Sequence, residues 1–276
     1  MIPWLYPGMS FPSVATALVE PNGLLAAGGE LTVSRLLEAY GQGIFPWFNP
    51  GEPILWWSPD PRMVLFPDEF KISRSLKKTL LHADYKVRVD TAFARVVQGC
   101  AEPRSADGGT WIDAPMMTAY GALYNAGYAH SFETWRVGED GEELVGGLYG
   151  VAVGGVFFGE SMFSRKTDAS KIALAHLVAY LGRYGFGVID CQMKTAHLAS
   201  LGARAIPRGE FRRLLEEWTQ QIPLPGAWGD SSSLAWSPPS IQPATGNERS
   251  PHLQPLSREA GERGIESRSR EMDDSV

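Results

Sequence analysis

The chain holds 276 residues, 44% of them apolar, and a formal charge of -6, enough for one large domain or two modest ones with real cores. No apolar run approaches the ~18 residues that a membrane span needs, and no basic stretch followed by an apolar one opens the chain, so neither a span nor a secretory leader is expected. Two cysteines and five scattered histidines without ligand spacing point to a reducing, cytoplasmic setting and away from disulfides and metal, while the acidic total argues against general nucleic-acid binding.

In chain order, Thr32 is placed to cap a helix through Tyr40, with Leu36, Leu37 and Tyr40 on one side. Residues 43–62, GIFPWFNPGEPILWWSPDPR, gather three tryptophans, two phenylalanines and five prolines. They read either as an aromatic mini-core or, for at least one ring, as a stiff platform on which a base could stack. Residues 1–66 as a whole are rich in Pro, Gly and Trp and are expected to be mostly irregular. Residues 71–88 carry Lys71, Arg74, Lys77, Lys78, Lys86 and Arg88 against Asp84, a local charge of +5. Such a run is either a solvated face or a contact for an anionic partner. Asp90 is expected to cap a second helix bearing Phe93, Val96, Val97 and Cys100, and Asp113 a third that ends near Gly127.

Three strand-like segments follow, AHSFETWRV, LVGGLYGVAV and GGVFFGESMF, with the acidic GEDGEE as a hairpin turn. A helix from about Asp168 to Tyr184 stops at Gly185, FGVIDCQM reads as a further strand, and residues 209–220 as a last helix with Phe211, Leu214, Leu215 and Trp218 on one face. The fold class is therefore α+β, with a mixed sheet flanked by helices. From about residue 226 the chain turns to Ser, Pro, Arg and Glu, a composition expected to stay disordered.

Two strings carry candidate chemistry. In VFFGESMFS, Glu160 sits among Phe157, Phe158, Met162 and Phe163, so it needs either an internal partner such as Arg165 or a cationic ligand. In IDCQ, strand alternation puts Asp190 and Gln192 on one face and Ile189 and Cys191 on the other. The pair is either a polar strand end or a catalytic pair, in which the acid accepts a proton or orients the amide. Cys191 reads as packing. Phosphate-loop, dinucleotide and nucleophile-elbow motifs are missing from the sequence.

Together these strings resemble one family, the leucyl/phenylalanyl-tRNA–protein transferases. The resemblance rests on EPNGLLAAGGEL, LLEAYGQGIFPWFNPGEPILWWSPDPR, ISRSLKK, GTWI, AHSFETW, LVGGLYGVAVGGVFFGESMFS, DASKIAL, IDCQ and SLGARAIPR, in order over residues 11–215. It implies transfer of Leu or Phe, with Met leaking through, from aminoacyl-tRNA to the α-amino group of proteins that begin with Arg or Lys, marking them for degradation. It implies no cofactor, no metal, no membrane and a cytoplasmic monomer. It implies a small N-terminal domain (1–66, completed by 67–110), a catalytic domain at 111–225 similar to the GCN5-related acetyltransferases, and a disordered tail at 226–276. By the same resemblance, Asp190, Gln192 and Glu160 are catalytic, with Asp190 polarising Gln192 and Glu160 meeting the acceptor's cationic end. Leu148, Phe157, Met162, Leu177 and Ile189 line the aminoacyl pocket. Trp47 and Trp111 hold the terminal adenosine, and Arg74, Lys77 and Lys78 contact tRNA phosphates. A noncatalytic tRNA- or N-terminus-binding protein is the competing reading. A CoA-dependent acetyltransferase would need a glycine-rich loop where this chain has SRKTDAS.

Overall fold

The structure, a computed structural model, describes residues 2–81, 85–102, 110–139, 141–221 and 228, all within one compact unit. The first sixty residues are more regular than their composition suggests. They form a four-stranded sheet in the order β1-β2-β4-β3, from β1 (Trp4–Leu5), β2 (Leu24–Gly28), β3 (Phe45–Pro46) and β4 (Leu55–Trp57). Strands of two to five residues are too short to show a period of two. Thr32 caps α1 (Val33–Gly41) as expected, its hydroxyl accepting from Arg35 N. Most of the aromatic stretch is mini-core. Phe45, Phe48 and Trp56 are buried, and Trp56 donates its indole N–H to Gly28 O at 2.8 Å.

The large sheet has seven strands in the order β11-β5-β10-β9-β8-β7-β6. Its centre is the expected antiparallel meander, β7 (Ala129–Gly138), β8 (Gly141–Val153) and β9 (Val156–Ser164). Helix α5 (Ala169–Arg183) then crosses over to β10 (Val188–Gln192), which lies parallel to β9. The strand β5 (Arg62–Leu65), drawn from the end of the aromatic stretch, lies antiparallel beside β10 and is followed outward by β11 (Arg204–Ile206). On the far edge β6 (Tyr85–Val89) pairs with β7. Two hydrophobic clusters cover the two faces, and neighbouring residues alternate between them: Val64, Phe158 and Val188 belong to one, Leu65, Phe157 and Ile189 to the other. α3 (Phe93–Ala101), α4 (Ala114–Asn125), capped by Asp113, and α7 (Arg208–Trp218) contribute to the first, α5 to the second. The short α6 (Ala196–Ser200) completes the described helices, none of which is long and apolar enough to cross a membrane.

One local element was not anticipated, and one expectation needs correction. The basic stretch contains a helix, α2 (Arg74–Leu81), which the sequence pattern hid because only Leu76 is buried. Arg74, Lys77 and Lys78 are exposed on it at helical spacing. Asp90 does not cap α3. It adopts φ 59° and turns its carboxylate to Ser131 N and His130 Nδ1, both at 2.8 Å. The cap is supplied from the sheet by Glu133, which accepts from Thr91 N and Ala92 N at 3.1 Å and from the hydroxyls of Thr91 (2.5 Å) and Ser131 (2.7 Å). Burial raises the Glu133 carboxyl and these donors pull it back. Glu133→Ala removes one acceptor from four donors and is expected to cost about 2 kcal/mol, at the upper end for a helix cap, in urea unfolding.

The expected disordered tail lies outside the described residues apart from Trp228, which is packed against the large sheet.

Candidate active site

The site lies where two strands part. The parallel ladder between β9 and β10 pairs Val156 with Val188, Phe157 with Ile189 and Phe158 with Asp190, and then ends. Each strand carries an irregularity just past that point. Tyr149 pairs with Ser161 and Gly150 with Gly159, so Glu160 is the extra residue of a bulge on β9. On β10, Asp190 pairs with Val64 and Gln192 with Met63, which leaves Cys191 as the extra residue. Bulges bend a strand and re-aim its side chains. Here they open a cleft of about 790 Å³ between the strands. Glycine is required opposite the first bulge, since a Cβ at Gly150 would fall 2.2 Å from Phe158 O.

The five apolar residues singled out in the sequence lie together. Leu148, Phe157, Met162, Leu177 and Ile189 all line the cleft, joined by Leu174. Trp111 lines it as well. Trp47 is not brought to this cleft; it is 39% exposed and packs edge-on against Trp57. Cys191, expected to face only the core, packs on the core and also lines the cleft. Burial pushes its thiol well up, which disfavours the thiolate.

Glu160 faces the cleft without a cationic partner among the described residues. Arg165, the candidate partner, pairs with Glu102 instead. Three neutral donors surround Glu160: Tyr40 Oη at 2.8 Å and Gln192 Nε2 at 3.0 Å, both to Oε1, and Tyr120 Oη at 2.6 Å to Oε2. The phenols of Tyr40 and Tyr120 are also 2.8 Å apart, so the three groups form a closed triangle. Burial, with Glu160 close by, raises both phenols well above their usual range, so each brings one proton. Two protons cannot satisfy three contacts. A third, on Glu160, closes the ring into a cycle in which each of the three groups donates once and accepts once. Burial pushes the carboxyl up to about 7, against the pull of the Tyr120, Tyr40 and Gln192 hydrogen bonds.

Asp190 is fully buried on the opposite side of β10 from Ile189 and does not line the cleft. Arg62 grips it with two hydrogen bonds, Nε to Oδ1 at 2.8 Å and Nη2 to Oδ2 at 2.6 Å. Arg62 is itself held by Gly43 O at 3.1 Å and between the rings of Phe45 and Phe211, each at 4.8 Å. Asp190 Oδ1 also accepts from the backbone N–H of Gln192 at 2.9 Å. That bond secures Gln192 at φ 60°, a conformation a glutamine rarely adopts. The chain of contacts therefore runs from Arg62 through Asp190 to Gln192 and on to Glu160.

Tyr40, Tyr120 and Arg62 had no assigned role in the sequence reading. Tyr40 read only as one side of its helix and Tyr120 was not singled out, and nothing local announces hydrogen bonds spanning 120, 40 and 128 residues. As chemistry, the site offers an apolar hollow, a carboxyl that titrates near neutrality and a carboxamide held in one orientation.

Two family models match the chain: leucyl/phenylalanyl-tRNA protein transferase over residues 64–216 and the N-terminal domain of the same family over residues 29–60. Curated relatives named leucyl/phenylalanyl-tRNA--protein transferase agree. That of Nitrosospira multiformis is 61% identical over 83% of this chain and 97% of its own length. The proteins of Nitrosomonas europaea (64% identity, 79% of this chain, 90% of the relative) and Thiobacillus denitrificans (62%, 79% and 94%) are similarly close. The chain belongs to the leucyl/phenylalanyl-tRNA protein transferase family and is an aminoacyltransferase.

Proposed function

We propose that the cleft moves leucine or phenylalanine, and admits methionine, from aminoacyl-tRNA to the α-amino group of proteins that begin with Arg or Lys, marking them for degradation. The observation that carries this reading is the meeting of an apolar hollow with the Glu160–Gln192 pair at the strand split. The amino-acid side chain rests on Leu148, Phe157, Met162, Leu177 and Ile189. An acceptor α-ammonium, with a pKa of about 8, meets Glu160 and gives up a proton to a carboxylate whose own pKa is about 7. The freed nitrogen attacks the ester carbonyl. The new C–N bond forms as the ester C–O bond breaks, and the ribose oxygen leaves carrying a proton. Gln192 orients the reacting groups, and Asp190 acts through Gln192 as a positioning residue, because it has no exposure to substrate.

Trp111, at the cleft, and Trp47, on the surface, hold the terminal adenosine. Arg74, Lys77 and Lys78, free of ion pairs among the described residues, contact tRNA phosphates. The meander followed by a helix and a parallel strand supports an acetyltransferase-like catalytic domain. The protein works as a cytoplasmic monomer.

The test is transfer of labelled leucine from Leu-tRNA to a peptide beginning with Arg, beside one beginning with Gly. Transfer to the first alone is expected. Binding of Leu-tRNA with no transfer to Arg or Lys termini would favour a binder over an enzyme of this specificity.

A further inference from the structure

Trp228 lies beyond the matched family segment, which ends at residue 216. Its indole is sandwiched between two rings, stacked on His130 at 3.7 Å and 13° and on Tyr180 at 5.1 Å and 18°. Both of its backbone groups are bonded as well. Its N–H donates to Asp90 Oδ2 at 3.0 Å, and its carbonyl accepts from Tyr180 Oη at 3.2 Å. Ring contacts with Phe186 (5.5 Å) and Phe157 (6.0 Å) complete the slot.

Phe157 is the link to the cleft. It is fully buried and lines the apolar wall. The backbone of Gly150 hems its ring in so closely that a Cβ there would lie 2.6 Å from it. Its other ring neighbour is the indole of Trp228. Interiors are packed densely enough that removing one ring lets its neighbour shift.

We propose that Trp228 is a specificity-determining residue: docked behind Phe157, it fixes the depth of the aminoacyl pocket and so the balance between leucine and phenylalanine. The inference deepens the reading of the cleft given above and rests on it. Without the indole the Phe157 ring can retreat, and the larger hollow favours the bulkier side chain. The Asp90 carboxylate and the Tyr180 hydroxyl act as the latch that seats the tryptophan.

The test compares kcat/KM for Phe-tRNA with that for Leu-tRNA, using an Arg-initiated peptide and the full-length chain. Trp228→Ala is expected to raise the Phe-over-Leu ratio about fivefold or more, the scale on which small changes in an apolar pocket discriminate. Trp228→Phe, which still fills the slot, should stay within about twofold of wild type. If the alanine variant does not fold, Trp228→Leu is expected to move the ratio in the same direction. A purely structural anchor would lower the melting temperature and leave the ratio unchanged; that result in the alanine or leucine variant overturns the proposal. A wild-type chain that transfers neither amino acid would instead overturn the reading of the cleft.

Discussion

Glu160→Gln is expected to cut leucine transfer by about 10²–10⁴-fold at pH 7, leave Leu-tRNA binding largely intact, and stabilise the protein in alkaline solution. The loss of rate follows from removing a buried carboxyl that lines the cleft with a pKa of about 7. The gain in stability follows from linkage. Burial raises the Glu160 carboxyl in the folded chain to about 7 from an ordinary 4.5, so the folded state holds this proton more tightly than the unfolded one. Its contribution is fully present below pH 4.5 and is lost as pH rises through 7. By pH 8 the buried carboxylate costs up to ~3 kcal/mol. A glutamine stays neutral and can still bond to both tyrosines, so the variant escapes the penalty. Urea unfolding at pH 5 and pH 8 checks this: the variant should gain on wild type at the higher pH and not at the lower. Equal stability of the two proteins at both pH values would mean that Glu160 is not held neutral. The same logic fixes a sign for Tyr120→Phe. The Tyr120 hydroxyl favours the ionised carboxyl, so its removal should move the acid limb of the transfer rate to higher pH.

What the sequence made legible was what depends on local periodicity. The helix capped by Thr32, the three-strand meander and the opposite facing of Ile189 and Asp190 all follow from spacing over ten residues or fewer. The apolar wall of the cleft was legible only through the family resemblance. The small sheet was hidden because its strands are too short for alternation to register. The helix of the basic stretch was hidden because it buries a single side chain. Asp90 looked like a cap because it precedes the right apolar pattern, but the carboxylate of Glu133, 41 residues from Ala92, took the place. The partners of Glu160 were illegible for the same reason. An arginine close in sequence was the natural candidate, while the fold supplies two phenols and an amide.

The Arg62–Asp190 pair yields the sharpest distinction between a base and a positioner. Asp190→Asn alone leaves the Arg62 guanidinium buried without its counter-charge, and Arg62→Met alone does the same to the carboxylate. Each is expected to destabilise by about 3–5 kcal/mol, since both side chains are almost entirely buried and a lone buried charge is costly. The double variant removes both charges. A methionine between Phe45 and Phe211 makes favourable sulfur–aromatic contacts, and the asparagine carbonyl oxygen can still accept from the Gln192 N–H. Most of the lost stability should therefore return in the double variant, by denaturant unfolding. Its transfer rate then separates the roles. If Asp190 works by fixing Gln192 at φ 60°, the double variant should recover transfer well above the Asp190→Asn single variant. If Asp190 were the proton acceptor, asparagine could not replace it, and the double variant would be stable and inactive.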